Sequence, residues 1–282
     1  MFIIADSGST KCDWTSVYSD GTTSTVTTMG LNPFFHDSDF MEQILIRELL
    51  PKSDLKEVHE VIFYGAGVHD SLRAAVVETA LRKIFPDNTK IVVEHDLLAA
   101  ARAACGKNPG IVAIIGTGSN TCLYDGYKVI DNVPNLGFLA GDEGSGSHIG
   151  KKLIQAYFYR ELPDDILSDF ETQYPEGMTA IKNTIYAGSG NVYLASFTRF
   201  LAAHKSNYLV QQLVAEAFDE LIDRHIRKYK GNNELPVHFV GSVAHYFQDI
   251  LRICLIKRGM KMGRVIQRPI DALVEYHLSH KQ

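Results

Sequence analysis

Phe2-Ile3-Ile4-Ala5-Asp6-Ser7-Gly8-Ser9-Thr10-Lys11 opens the chain, and Ile111-Val112-Ala113-Ile114-Ile115-Gly116-Thr117-Gly118-Ser119-Asn120 repeats its plan farther along. In each, a short apolar run meets a bend of Gly, Ser and Thr. After the first bend an alternating stretch reaches Tyr18 and then Ser19-Asp20-Gly21. After the second, Thr121-Cys122-Leu123-Tyr124 leads to Asp125-Gly126. Apolar run, small-polar bend, second strand and Asp-Gly hairpin signal thus recur in one order. Chance can make two hairpins alike, but the shared order argues for an internal structural repeat.

Between and after the two echoes, strand and helix patterns alternate. Phe40 to Leu50 has helical spacing and stops at Pro51. Val58 to Tyr64 reads as a strand entering Gly65-Ala66-Gly67, Ser71 to Phe85 as an amphipathic helix, Ile91 to Val93 as a short strand and Leu97 to Ala104 as an Ala-rich helix. Farther on, helices are expected over 147–159, 191–204, 209–229, 247–258 and 270–279, with a strand at Val237–Val240 stopping at Gly241-Ser242. Such alternation predicts an α/β fold with mainly parallel strand order. The cluster Gly106-Lys107-Asn108-Pro109-Gly110 marks the boundary between two expected domains, 1–108 and 109–282, the final helix being free to pack back on the first.

Composition narrows the function. The 282 residues are 45% apolar and 22% charged, the balance of a folded chain, and the net charge of -5 argues against a nucleic-acid backbone binder. No apolar run approaches the roughly 18 residues of a membrane helix. Asp6 interrupts the N-terminus before a signal-peptide core forms, and the four dispersed cysteines lack any CxxC pair. A cytoplasmic protein with reduced thiols, no membrane partner and no zinc site is expected.

The bends carry the chemistry. Consecutive backbone N–H groups in a turn of small residues form an anion nest, to which Ser and Thr hydroxyls add donors. Ser7-Gly8-Ser9-Thr10 and Gly116-Thr117-Gly118-Ser119 both qualify, and neither is a Walker A loop or a dinucleotide turn. A tight hairpin explains either bend alone; the pair points to phosphate. Asp6, at the strand end, can cap its own turn or hold Mg²⁺ together with phosphate oxygens. Lys11 can meet phosphate charge or simply face solvent. Asp96 opens the Ala-rich helix: it can be an N-cap, or a general base for a hydroxyl attacking phosphorus. Gly137 to Gly146 sets Asp142 and Glu143 among glycines, where carboxylates can cap a helix or accept hydrogen bonds from sugar hydroxyls.

Together these pieces resemble the N-acetylglucosamine kinases, a branch of the actin, sugar-kinase and heat-shock ATPase superfamily that also holds the activator ATPases of acyl-CoA reductases. Asp6-Ser-Gly-Ser-Thr-Lys11 resembles the first phosphate motif, Gly116-Thr-Gly-Ser-Asn120 the second, and Gly241-Ser-Val-Ala244 the adenosine motif. Gly30-Leu31-Asn32-Pro33 is similar to the segment whose Asn meets the sugar, Glu94-His95-Asp96 to the one bearing the catalytic Asp, and Gly141-Asp-Glu-Gly-Ser145 to the most specific signature. The resemblance implies two actin-like (ribonuclease H-like) domains, each a mixed sheet flanked by helices, with an interdomain cleft and often a homodimer. It implies ATP near Gly8, Ser9, Thr10, Lys11, Gly116, Thr117, Gly118, Ser119, Gly241 and Ser242, with Mg²⁺ held at Asp6. It implies an amino sugar facing Asn32, Asn135, Leu136, Gly137, Asp142 and Glu143, and Asp96 as the base that activates its C6 hydroxyl. Ser7, Leu136 and Ala272 depart from the pattern, standing where Gly, an aromatic residue and Gly are usual. The zinc motif of repressor-type sugar kinases is missing. An activator-type ATPase and a sensor without turnover are the competing expectations.

Overall fold

The computed structural model describes residues 1–8 and 10–279. The chain forms two compact units, one from Met1–Gly106 with the segment from Pro269 onward, the other from Lys107–Arg268. No helix among the described residues is long and apolar enough to cross a membrane.

In the first unit the opening apolar run becomes β1 (Phe2–Ser7), and the alternating stretch becomes β2 (Lys11–Val17), antiparallel to it. β3 (Thr23–Met29) extends the hairpin; β4 (Glu60–Gly65) and β5 (Lys90–His95) add parallel strands on the other side of β1. The order is β3-β2-β1-β4-β5. The sheet is therefore mixed. Alternation of strand and helix foretold its parallel part, while the hairpin supplies the antiparallel part because two strands joined by a tight turn must run in opposite directions.

One core cluster contains Ile3, Ala5, Trp14, Val61, Phe63, Met41, Leu45, Val77 and Leu81. Each fully buried large apolar side chain contributes roughly 1.5–3 kcal/mol. The Asp96–Cys105 helix buries Ala99, Ala100, Ala103 and Ala104, whose small side chains allow close packing. The last helix, Ile270–Leu278, packs against it, and Tyr64 ties the two: its hydroxyl accepts from Arg102 Nη1 at 2.6 Å and lies 2.8 Å from His277 Nε2.

The second unit repeats the plan. β6 (Gly110–Ile115) and β7 (Ser119–Tyr124) form the hairpin and β8 (Val129–Asp131) its edge; β9 (Pro236–Val240) and β10 (Lys261–Ile266) run parallel to β6. The order β10-β9-β6-β7-β8 is that of the first sheet, strand for strand. Its core is larger and more helical, including Ile111, Ile115, Leu153, Phe170, Phe197, Phe200, Phe218, Leu221 and Phe239. The helix expected over 191–204 is two helices, Gly190–Ser196 and Thr198–Ala203, meeting at the buried Phe197.

Candidate active site

Register places the working residues of the first unit. Ser7 pairs with Gly65, and Gly65 with His95, so β1, β4 and β5 end level with one another. In open α/β sheets the space beyond the carboxyl ends of parallel strands is where ligands bind. Three segments meet there. The turn after β1 is closed by Gly8 N–H donating to Lys11 O at 3.0 Å. The Gly30–Asn32 segment is tied to it by Gly30 N–H on Thr10 O (3.2 Å) and Leu31 N–H on Ser7 Oγ (2.8 Å). The Gly65–Gly67 turn joins through Ala66 N–H on Ser7 O at 2.8 Å. Gly67 has φ +81°, and a Cβ there would strike Asn32 Oδ1, so this position requires glycine. Ser9 lies outside the described residues.

Asp6 is half-buried beside the first turn. Its cross-strand partner is Asp13, which sequence reading passed over. Asp13 is buried, yet both oxygens are engaged: Oδ2 with Lys11 Nζ at 3.0 Å, Oδ1 with Thr27 Oγ1 at 2.7 Å. Lys11 thus serves a strand neighbour within its own unit. The clue in the sequence was an acid set inside the apolar Cys12–Trp14 run. No group of three or more His, Cys, Asp or Glu able to hold a metal occurs among the described residues. Asp6 offers one carboxylate beside the first turn, the kind of donor a Mg²⁺ shared with phosphate oxygens would use.

Asp96 is not the N-cap of its helix. That role falls to His95, whose Nδ1 accepts from Leu97 N–H at 2.9 Å, while Asp96 is the first helical residue. Asp96 Oδ1 is buried with no hydrogen-bond partner and lies 2.9 Å from His95 Nδ1. Because that nitrogen is already an acceptor, it offers the carboxylate no proton. His95 Nε2 is 2.8 Å from His69 Nδ1, and burial, with His95 alongside, depresses the His69 pKa. The histidine pair was not foreseen; β4 and β5 bring it together across the strand ends.

In the second unit the Ile115–Ser119 turn is enclosed by the 135–147 segment. Gly116 N–H donates to Gly118 O at 2.9 Å; Gly146 and Ser147 N–H donate to Gly116 O (2.8 Å) and Thr117 O (3.0 Å). Ser119 N–H donates to Asp142 Oδ1 at 3.1 Å, and Ser119 Oγ donates to Glu143 O at 2.8 Å. Asn135 is the hub of the loop: its Nδ2 reaches Ser119 O and, at 2.8 Å, Asp142 Oδ1, while its Oδ1 accepts Gly137 N–H at 2.6 Å. Leu136 beside it is largely exposed. Asp142 sits in the left-handed region at φ 57°, uncommon for a residue with a side chain and a frequent mark of functional loops.

The two acids of this loop part company. Burial pushes Asp142 up from the ordinary carboxylate range, against the opposing hydrogen bonds of Ser119 and Asn135. Glu143 is also raised by burial, but its hydrogen bond to His225 and the charges of His225 and Arg224 outweigh this and leave it depressed. His225 Nε2 lies 3.0 Å from Glu143 Oε2, and Arg224 Nε 3.7 Å from Oε1. The sequence grouped both acids as sugar ligands; the fold turns Glu143 toward the Tyr208–Arg224 helix and the His225 just beyond it. Gly241, at φ +121°, follows β9, and a Cβ there would strike Ile115 O. The Gly241-Ser242 bend therefore lies directly against the Gly116–Ser119 turn.

No family model matches this chain. A putative N-acetylglucosamine kinase from Chromobacterium violaceum shares its fold at TM-score 0.74 and 18% identity, with 98% of each chain covered. A ROK family glucokinase from Streptomyces griseus, in complex with glucose and AMPPNP, superposes at TM-score 0.57 and 16% identity over 100% of this chain and 99% of that one. The repeated mixed sheet with its two strand-end turns is thus the fold that these kinases share. The putative N-acetylglucosamine kinase of Porphyromonas gingivalis is 36% identical over 100% of both chains, at TM-score 0.95. The chain belongs to the N-acetylglucosamine kinase family.

Proposed function

We propose that the protein transfers the γ-phosphoryl group of ATP to the C6 hydroxyl of N-acetylglucosamine or a close relative. In the first unit the Gly8–Lys11 turn receives phosphate and Asp6 holds Mg²⁺, which when bound neutralises phosphate charge. In the second unit Gly116–Ser119 receives phosphate and Gly241-Ser242 the adenosine. Asn32, Asn135, Leu136, Gly137 and Asp142 hold the sugar, while Glu143 steadies the loop through His225. O6 bonds to the γ-phosphorus as the β–γ bridging bond breaks, and that electron pair leaves on ADP. Asp96 takes the O6 proton.

The observation that carries this reading is the Asp96 carboxylate, which does not cap its helix and has a buried oxygen without a hydrogen-bond partner. His95 has taken over the helix N-terminus, so the Asp96 carboxylate is free of the structural duty an Asp usually performs there. Positioning of that carboxylate supplies most of the rate. The soluble, cytoplasmic setting and a homodimer belong to the same reading.

A coupled ADP-release assay over a sugar panel tests it, with the product's phosphate position read by NMR. Turnover confined to amino sugars, with phosphate on C6, is expected. Sugar-independent hydrolysis would favour an activator-type ATPase, and binding without turnover a sensor.

A further inference from the structure

We propose that the Ser7 and Ser119 hydroxyls couple nucleotide binding to sugar binding, each by tying the phosphate turn of its unit to the backbone of that unit's acceptor segment. The inference rests on the kinase reading above and deepens it by naming residues that make the two substrates cooperate.

Ser7 stands at the end of β1, fully buried. Its Oγ accepts Leu31 N–H at 2.8 Å and lies 3.2 Å from Leu31 O, to which it donates. The side chain thus reaches the residue just before Asn32, with Gly8 O a longer alternative acceptor at 3.4 Å. Asn32 is itself fixed: it is buried, its Oδ1 accepts Phe34 N–H at 2.9 Å, and Gly67 presses against it. A displacement at Ser7 is carried through its hydroxyl to Leu31, and so to Asn32. A second tie, Gly30 N–H on Thr10 O, is longer at 3.2 Å.

Ser119 opens β7, also buried, and does the same in the other unit. Its Oγ holds Glu143 O at 2.8 Å while its N–H is given to Asp142 Oδ1 at 3.1 Å. That N–H belongs to the bend expected to receive phosphate, so an incoming phosphate and Asp142 compete for one donor. Whatever arrangement the phosphate selects is passed to both acids of the acceptor loop. Packed, hydrogen-bonded segments shift between discrete arrangements and do not deform continuously, so binding at one end biases the other. By linkage the bias is reciprocal.

Calorimetry measures it. N-acetylglucosamine affinity is determined with and without saturating AMPPNP and Mg²⁺, in the wild type and in Ser7→Ala and Ser119→Ala. The wild type should bind the sugar at least about fivefold tighter with AMPPNP, the lower end of usual coupling. Each variant should reduce that ratio toward one. A merely structural lesion weakens both affinities in proportion and leaves the ratio alone. Thermal melts identify a variant that does not fold, in which case the other serine, in its own unit, carries the test. A wild-type ratio of one overturns the proposal, as does an unchanged ratio in the folded variants. No sugar binding at all by the wild type overturns the kinase reading itself and the coupling with it.

Discussion

The turn after β1 and the turn before β7 occupy the same place in two sheets of the same strand order, yet they are backed differently. Behind the first stands a neutral hydroxyl, Ser7, with the charged Asp6, Asp13 and Lys11 on the adjoining strands. Behind the second stands a carboxylate, Asp142, laid against Gly118 and bonded to Ser119 N–H. The first unit adds Asp96, a helix-start carboxylate with a buried, unpartnered oxygen, and the second adds the Asn135–Asp142 hub. Repetition duplicated the backbone frame and left the chemistry to diverge. In the proposed reaction, the proton acceptor and the sugar loop belong to different copies.

The division of labour is open to attack, most forcefully at Asp96. Asp96→Asn should lower kcat by at least about 10²-fold, the low end for a general base, while AMPPNP binding stays intact. Unchanged turnover would remove the first unit's claim to the chemistry. Next comes Gly67→Ala, which drives a methyl onto Asn32 Oδ1 at a positive φ. Strain of about 1–3 kcal/mol should raise the sugar KM by roughly five- to 150-fold, and the KM for ATP by less. Equal changes in both would show that the 65–67 turn does not serve the acceptor selectively.

The paired acids of the second unit should separate in stability measurements by denaturant titration from about pH 2 to pH 8. Glu143 is depressed in the folded state, so its stabilisation is present above the ordinary Glu range and is lost as pH falls through the folded value. Glu143→Gln should therefore cost about 1–3 kcal/mol at neutral pH and progressively less in acid. Asp142 is raised, so its ionised form opposes folding at neutral pH and that penalty fades as pH falls through the folded value. Asp142→Asn should leave neutral-pH stability unchanged or higher while sugar affinity drops. Parallel pH curves for the two variants would abolish the distinction. The smallest effect is expected at Tyr64→Phe, which removes the tie among Arg102, Tyr64 and His277. A loss of about 1 kcal/mol, with faster hydrogen exchange in the Ile270–Leu278 helix, is the expected outcome.

Much of the frame was readable beforehand because it is written in local patterns. Both hairpins, the strands at 58–64 and 237–240 and the Ala-rich helix follow from apolar runs and Gly-containing bends. β3 escaped notice: its Thr-rich run is largely exposed at a sheet edge and lacks an apolar face. β10 escaped too, being half-buried with charges interspersed. At the site, residue types and their turns were legible, whereas partners were not. Asp13 meets Asp6 only through strand register; His95 meets His69 only because β4 and β5 end level; Glu143 meets His225 across about half of the second unit's sequence.

Periodicity and turn chemistry are properties of neighbours along the chain, so the sequence by itself determined two copies of a strand–bend–strand frame and the residues at their bends. Which of those residues would be spent on structure was a tertiary decision. Buried hydrogen bonds and ion pairs join segments remote in sequence, and they alone turned Ser7 toward Leu31 and sent Glu143 to His225.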